Sequence, residues 1–207
     1  MPLSPYHQHY AERSDEELNH RALVKKQELK KTFGELEYTP VHSPVRIAVL
    51  GCADKRFVVL HKEIFEELLQ RPVELTTFDI TTEHLEGEKG VMRHDCSLPL
   101  PNPPYDIMFG HVLLKFVETE KQWNVIRNSF DALCAPGLAI HVFDEEDITT
   151  TSVKQRDGYF SVPLERWKQK LNEEKIDFVI LRWSMNPGTV QFLMRSIKGG
   201  ALVLVKK

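Results

Sequence analysis

The stretch Val45–Asp79, VRIAVLGCADKRFVVLHKEIFEELLQRPVELTTFD, restricts the folds open to this chain more than any other. Its first six residues, Val45–Leu50, are nearly all apolar, as expected of a strand covered on both faces. The run stops at Gly51, where the lack of a Cβ permits a sharp turn and a close backbone approach. Phe57–Leu69 follows with Phe57, Leu60, Ile64, Phe65 and Leu68 on one helical stripe, the pattern of packing against a sheet. Val73–Phe78 is a second strand, and it leads into the carboxylate of Asp79. The unit is β-α-β, with a tight glycine turn after strand one and an acid at the tip of strand two. In open α/β sheets this place receives an adenosine-type ligand. The turn faces its phosphate or amino-acid end, and the carboxylate faces its ribose hydroxyls.

The alternation continues to the end of the chain. A short third strand lies near Val91–Arg93, after the polar turn Glu86–Gly90, and a fourth is Tyr105–Phe109. A helix from about Glu118 to Leu133 carries Trp123, Ile126, Phe130 and Leu133 at helical spacing. Pro136-Gly137 reads as a turn and Leu138–Phe143 as strand five. Beyond the polar segment Asp144–Gly158 come a helix around Leu164–Leu171, strand six at Phe178–Trp183, the pair Gly199-Gly200, and strand seven at Ala201–Val205. This order predicts an α/β fold with a doubly wound, mostly parallel seven-stranded sheet and right-handed crossovers.

Residues 1–43 read as an N-terminal helical extension, and residues 44–207 as the core domain. The first thirteen residues show no apolar period and are a candidate lid. A helix begins at Ser14, where Ser14 and Glu17 match a capping box. Leu18, Ala22, Leu29 and Phe33 share roughly one face, and Gly34 is the expected stop. Lys25, Lys26, Lys30 and Lys31 read as a solvated basic face. The linker Tyr38–Pro44 leads into the sheet.

Composition excludes several classes. A net charge of −3 gives no broad basic surface, so a nucleic-acid partner is not expected. The apolar runs are too short to span a membrane. Cys52, Cys96 and Cys134 are widely separated, with no CxxC pair or zinc spacing. They read as reduced thiols, and with a polar N-terminus they point to the cytoplasm.

Four places at predicted strand ends carry candidate chemistry. Gly51-Cys52-Ala53-Asp54 is either a ligand-facing turn or a plain strand-to-helix turn. Asp79 either accepts a ribose diol or caps the turn holding Thr81 and Thr82. In His94-Asp95-Cys96, Asp95 either meets an adenine amino group or makes an Asx turn before Ser97-Leu98-Pro99. In Gly110-His111-Val112-Leu113, Gly110 allows close approach, and His111 is either a general base or a packing residue.

These pieces together resemble a class I (Rossmann-like) S-adenosylmethionine-dependent methyltransferase. VLGCADKR stands in place of the family's glycine-rich first motif. TFDIT matches the acidic strand-two end, and RHDCSLPLP the third motif. YDIMFGHVLLKFVETEKQWNVIRNSFDALCAPGLAIHVFD resembles the fourth and fifth regions, with Leu133–Gly137 where the family commonly ends L-K-P-G-G. The resemblance covers about Pro44–Lys207. It implies an antiparallel last strand, S-adenosylmethionine as cofactor and a small-molecule acceptor. It also implies cofactor contacts at Gly51, Cys52, Ala53, Asp54, Asp79, Ile80, Asp95, Cys96 and Gly110, with His111 as the catalytic candidate. No metal is implied. The departures are Val49 where the family has an acid, Ala53 for the second glycine, and Asp54-Lys55-Arg56 around the third. Asp54 would sit near the cofactor carboxylate and repel it, unless Lys55 or Arg56 compensates. Two other readings stand beside this one. A non-catalytic binding or scaffold protein would have kept the fold after losing the first motif. A nicotinamide-dependent oxidoreductase fits less well, since G-x-G-x-x-G is absent.

Overall fold

A computed structural model describes residues 13–149, 154–156, 159–185 and 197–207. The candidate lid at the N-terminus therefore lies, but for Arg13, outside the described residues. So does part of the polar segment Asp144–Gly158.

Helix α1 spans Asp15–Glu35 and opens on the expected capping box. The Glu17 N–H donates to Ser14 Oγ and the Ser14 N–H to Glu17 Oε2, both at 3.2 Å. The helix runs one residue past Gly34 and closes through Glu37, which takes the left-handed conformation instead of glycine. The sheet elements follow: β1 (Val45–Leu50), α2 (Arg56–Leu69), β2 (Val73–Asp79), β3 (Val91–Arg93), β4 (Tyr105–His111), α3 (Thr119–Asp131) and β5 (Leu133–Asp144). Then come α4 (Glu145–Thr149), the short pair β6 (Lys154–Arg156) and β7 (Tyr159–Phe160), α5 (Leu164–Glu173), β8 (Phe178–Met185) and β9 (Ile197–Lys206).

Seven strands form one sheet in the order β3-β2-β1-β4-β5-β9-β8, and β6 pairs with β7 separately. All neighbours from β3 to β5 are parallel, while β9 runs antiparallel to both β5 and β8. The predicted doubly wound sheet with an antiparallel last strand is thus the fold, and predicted strands six and seven are β8 and β9.

The period of two along β1 explains the two apolar layers. Val45, Ile47 and Val49 point to the face covered by α1 and α2, where Leu29, Phe33, Ile64 and Phe65 are buried. Ala48 and Leu50 point to the other face, with Val125 and Ile126 of α3 and Leu164, Trp167 and Leu171 of α5. Trp167 is fully buried, stacks on Trp123 at 6.1 Å, and donates its indole N–H to Gln122 Oε1 at 3.2 Å. The Gln122 amide in turn donates to the carbonyls of Leu114, Val117 and Ser161. That fixes the loop following β4.

Several strand boundaries differ from the sequence reading. Strand β5 starts at Leu133, and Pro136-Gly137 lies inside it, at a register irregularity opposite Tyr105–Ile107. Glycine is required there, because a Cβ on Gly137 would come within 2.7 Å of the Cys134 carbonyl oxygen. Strand β4 extends through Gly110 and His111, which the sequence reading put in the following loop. Gly199-Gly200 sits within β9, paired with Asp144 and Phe143 of β5 and with Trp183 and Arg182 of β8.

The last difference generates a prediction. A Cβ on Gly200 would lie 2.3 Å from the Leu181 carbonyl and 2.8 Å from the Phe143 ring, in a strand enclosed on both sides. Gly200→Ala is expected to lower unfolding free energy by about 1–3 kcal/mol, the range for overpacking. Urea denaturation measures this directly, and unchanged stability would show that the neighbouring strands separate freely.

Candidate functional site

Strands β1, β2, β4 and β5 end together at one edge of the sheet, with Gly51, Asp79, His111 and Asp144 at their tips. A cavity of about 560 Å³ opens there. Gly51 takes a left-handed conformation at φ +77°, as the tight turn requires, and its missing Cβ also leaves room for the Leu113 side chain. The turn is held from both sides. The Cys52 N–H donates to Asp79 Oδ2 at 2.8 Å, and His84 Nε2 lies 2.6 Å from the Cys52 carbonyl oxygen. Asp79 Oδ1 accepts the Thr81 N–H at 3.0 Å. Asp79 is therefore a turn cap and a cavity-facing carboxylate at once. Each oxygen keeps a lone pair beyond the backbone donor it already holds.

Of the residues singled out from the sequence, Gly51, Cys52, Ala53, Asp54, Asp79, Ile80, Asp95, Cys96 and His111 all line this cavity. Gly110 does not. It lies within β4, and its open side packs on His141, Leu113 and Leu50, so its lack of a side chain serves strand packing. Asp95 makes the Asx turn, accepting the Ser97 N–H at 2.9 Å, and this hydrogen bond holds its carboxyl below the usual range. Ile80 is exposed beside Asp79 as an apolar ledge. Burial pushes the Cys52 and Cys96 thiols up to about 12, so both stay protonated.

Of the two alternatives for Asp54, a charge left beside the ligand or one compensated by Lys55 or Arg56, the structure has the second, through Arg56. It is buried and clamped by Arg56, whose Nε and terminal nitrogen reach its two oxygens at 3.0 and 2.7 Å. The same guanidinium bonds Asp15 Oδ1 and the Arg13 carbonyl oxygen, tying the turn to the start of α1.

Helix α1 supplies what sequence reasoning missed. Of its basic residues, Lys30 and Lys31 are exposed, and Lys26 is ion-paired with Glu67. Lys25 instead turns into the cavity, 4.9 Å above the Phe57 ring and 5.7 Å from Phe109. One turn on, Glu28 is buried, with Oε2 3.1 Å from His111 Nε2. His61 of α2 completes the wall; it is buried, and neither ring nitrogen has a hydrogen-bond partner. Burial pushes Glu28 up to about 8, against the pull of Lys25, and brings Lys25 down to about 8, against Glu28. Burial first, and then Lys25, hold His61 and His111 well below the usual imidazole value. A protonated Glu28 donates to the neutral His111 ring, so the pair shares one hydrogen. Polar residues at 25 and 28 look solvent-directed in sequence, and only the return of β4 beneath α1 shows otherwise.

Comparisons with known proteins agree on the architecture. No family model matches the chain, and no curated protein matches it in sequence. Among solved structures, the plantazolicin methyltransferase BpumL, bound to a triazolic desmethylPZN analogue and S-adenosylhomocysteine (SAH), superimposes with a TM-score of 0.65 at 14% identity, covering 97% of this chain and 89% of that one. A methyltransferase from Clostridium acetobutylicum ATCC 824 gives 0.59 at 9% identity, over 88% and 91% of the two chains. One from Archaeoglobus fulgidus gives 0.55 at 13% identity, over 87% and 94%. The chain has the class I S-adenosylmethionine-dependent methyltransferase fold.

The buried carboxyl predicts a pH signature. Glu28 holds its proton more tightly in the folded protein than its ordinary value of 4.5 allows in the unfolded chain. Its contribution to stability therefore falls as pH rises from about 4.5 towards 8. Glu28→Gln keeps the shape and removes this slope, while His61 and His111 remain in both proteins. The melting temperature of the variant, relative to the parent, should rise steadily between pH 5 and 8. A difference that stays constant across this range would mean that Glu28 is ionised in the folded state.

Proposed function

We propose that this chain is an S-adenosylmethionine-dependent methyltransferase acting on a small-molecule acceptor. The observation that carries the reading is the Asp79 carboxylate, pinned to the Cys52 N–H at the mouth of the cavity and still offering acceptor capacity. The residues present fit an adenosine ligand. Asp79 suits a vicinal diol, Ile80 offers an apolar surface for a ring, and Asp95 is an ionised acceptor for an exocyclic amine. The clamp by Arg56 neutralises Asp54, which removes the charge conflict raised by the altered first motif. Arg21 and Lys25 line the same cavity and suit the carboxylate of an amino-acid end.

When bound, S-adenosylmethionine supplies a methyl group on a sulfonium centre, open to in-line displacement. The chain's own task is mainly alignment and exclusion of water. Leu50, Phe57, Phe78 and Leu113 contribute apolar wall. His111, at the tip of β4, is proposed to accept at Nδ1 the proton that an acceptor hydroxyl or amine loses, in the form in which Glu28 is ionised and takes the Nε2–H of the ring. Where α1 carries Lys25 and Glu28 into the cavity, the N-terminal helix forms part of the acceptor wall.

Calorimetry with SAH tests the reading. The parent protein should bind one SAH per chain. Asp79→Ala should weaken binding by about 2–4 kcal/mol, the contribution of two charge-assisted hydrogen bonds. Asp79→Asn, which keeps one acceptor oxygen and with it one of the two turn contacts, should lose less. A folded parent that binds no SAH would favour the non-catalytic reading. A folded Asp79→Ala variant with full affinity would remove Asp79 from the cofactor site.

A further inference from the structure

At the opposite edge of the sheet, three donor side chains from three separate segments converge. We propose that His42, Asp106 and Cys134 form a binding site for a zinc-like divalent ion. His42 lies in the linker before β1, Asp106 is the second residue of β4, and Cys134 is the second residue of β5. His42 Nδ1 is 2.6 Å from Asp106 Oδ1, Cys134 Sγ is 3.5 Å from the same oxygen, and the sulfur and nitrogen are 4.0 Å apart. Tetrahedral zinc with ligands at about 2.0–2.3 Å separates its donors by roughly 3.3–3.6 Å. A sub-ångström outward shift of the half-exposed His42 ring supplies the difference.

The surroundings suit a metal. Asp106 is almost fully buried, and its second oxygen accepts the Arg46 N–H at 2.8 Å. That outer contact fixes the carboxylate and leaves Oδ1 for the cluster. The nearby cations are turned away, Arg71 to the His42 carbonyl and Lys206 to the carbonyls of Phe130, Asp131 and Leu133. One nitrogen, one sulfur and one carboxylate oxygen select a borderline ion over magnesium or calcium, which take oxygen ligands. Solvent reaches the cluster past His42, giving an entry path and a place for a fourth, water ligand. Burial and the Asp106 carboxylate push the Cys134 thiol up to about 11, so binding must release its proton and must strengthen as pH rises. The five residue steps along β4 from Asp106 to His111 span about 16 Å, so this cluster is separate from the cavity at the other edge. An ion here would cross-link the linker to β4 and β5 and stabilise the fold without entering the methyl-transfer site.

The full chain, stripped with chelator under reducing conditions, is titrated with Co²⁺ and then with Zn²⁺. We expect one Co²⁺ per chain, a thiolate-to-cobalt charge-transfer band, and displacement by Zn²⁺ with a rise in melting temperature. Cys134→Ser should abolish the band. His42→Ala should weaken binding by more than about 10–100-fold, the range for losing even an outer-sphere partner. Both variants alter partly exposed residues, and circular dichroism verifies their folding. SAH affinity, measured on the same samples, should not change, so failure here is distinct from failure of the methyltransferase reading. No thiolate band in the parent, a band that survives in Cys134→Ser, or full affinity in His42→Ala would overturn the site.

Discussion

The hydrogen bond from the Cys52 amide to Asp79 is the contact on which the candidate site depends. The ladder between parallel strands β1 and β2 ends where the Gly51 N–H donates to the Phe78 carbonyl at 2.7 Å, and beyond that point the turn must be held by other groups. One carboxylate oxygen catches the turn, the other catches the Thr81 amide, and His84 takes the Cys52 carbonyl. A charged acceptor makes such bonds worth about 1.5–3 kcal/mol each. They are made where the backbone has just left the sheet and would otherwise lack partners. The same carboxylate is then presented to the cavity with its position already determined.

Helix α1 works on two surfaces. Val24, Leu29 and Phe33 belong to the apolar layer over β1 and β4, while Lys25 and Glu28, one and four residues after Val24, reach the cavity. Placing a lysine and a glutamate beside each other under a helix is costly unless their charges are paired or suppressed. Here burial displaces both towards neutrality, and the aromatic faces of Phe57 and Phe109 receive the ammonium group. This wall of the cavity is thus built from titratable groups poised near physiological pH, a property associated with functional sites.

What could be read from the sequence was local. Gly51, the stripe on α2, the acid closing β2 and the capping box at Ser14 are each written within a few residues, and each stands where its pattern placed it. Asp79 and Asp95 offered two roles apiece, and the structure gives each its turn-capping bond while leaving its carboxylate on the cavity. The partners that complete the site were not legible, because they join by tertiary approach. Glu28 lies 83 positions from His111, His84 lies 32 from Cys52, and Arg56 gathers Asp54 with Arg13 and Asp15. Gly110 was misplaced for a related reason. Its glycine answers to His141 on the neighbouring strand, a contact that strand-end reasoning cannot foresee.

Strand β9 is the last of the sheet in sequence, yet it occupies an interior position, between β5 and β8. Its residues Ala201–Leu204 have no exposed surface, and they contribute to the apolar layers on both faces. Strand β5 is made about fifty residues before β9, whereas β8 precedes β9 by only a short segment. The pairing of β9 with β5 is therefore long-range, of the kind that slows folding and leaves an edge open to wrong partners, while its pairing with β8 is local. The Gly199-Gly200 pair stands at the entry of this late strand, where Phe143 and the Leu181 carbonyl leave no space for a side chain. Only a bare backbone fits between β5 and β8 at this point.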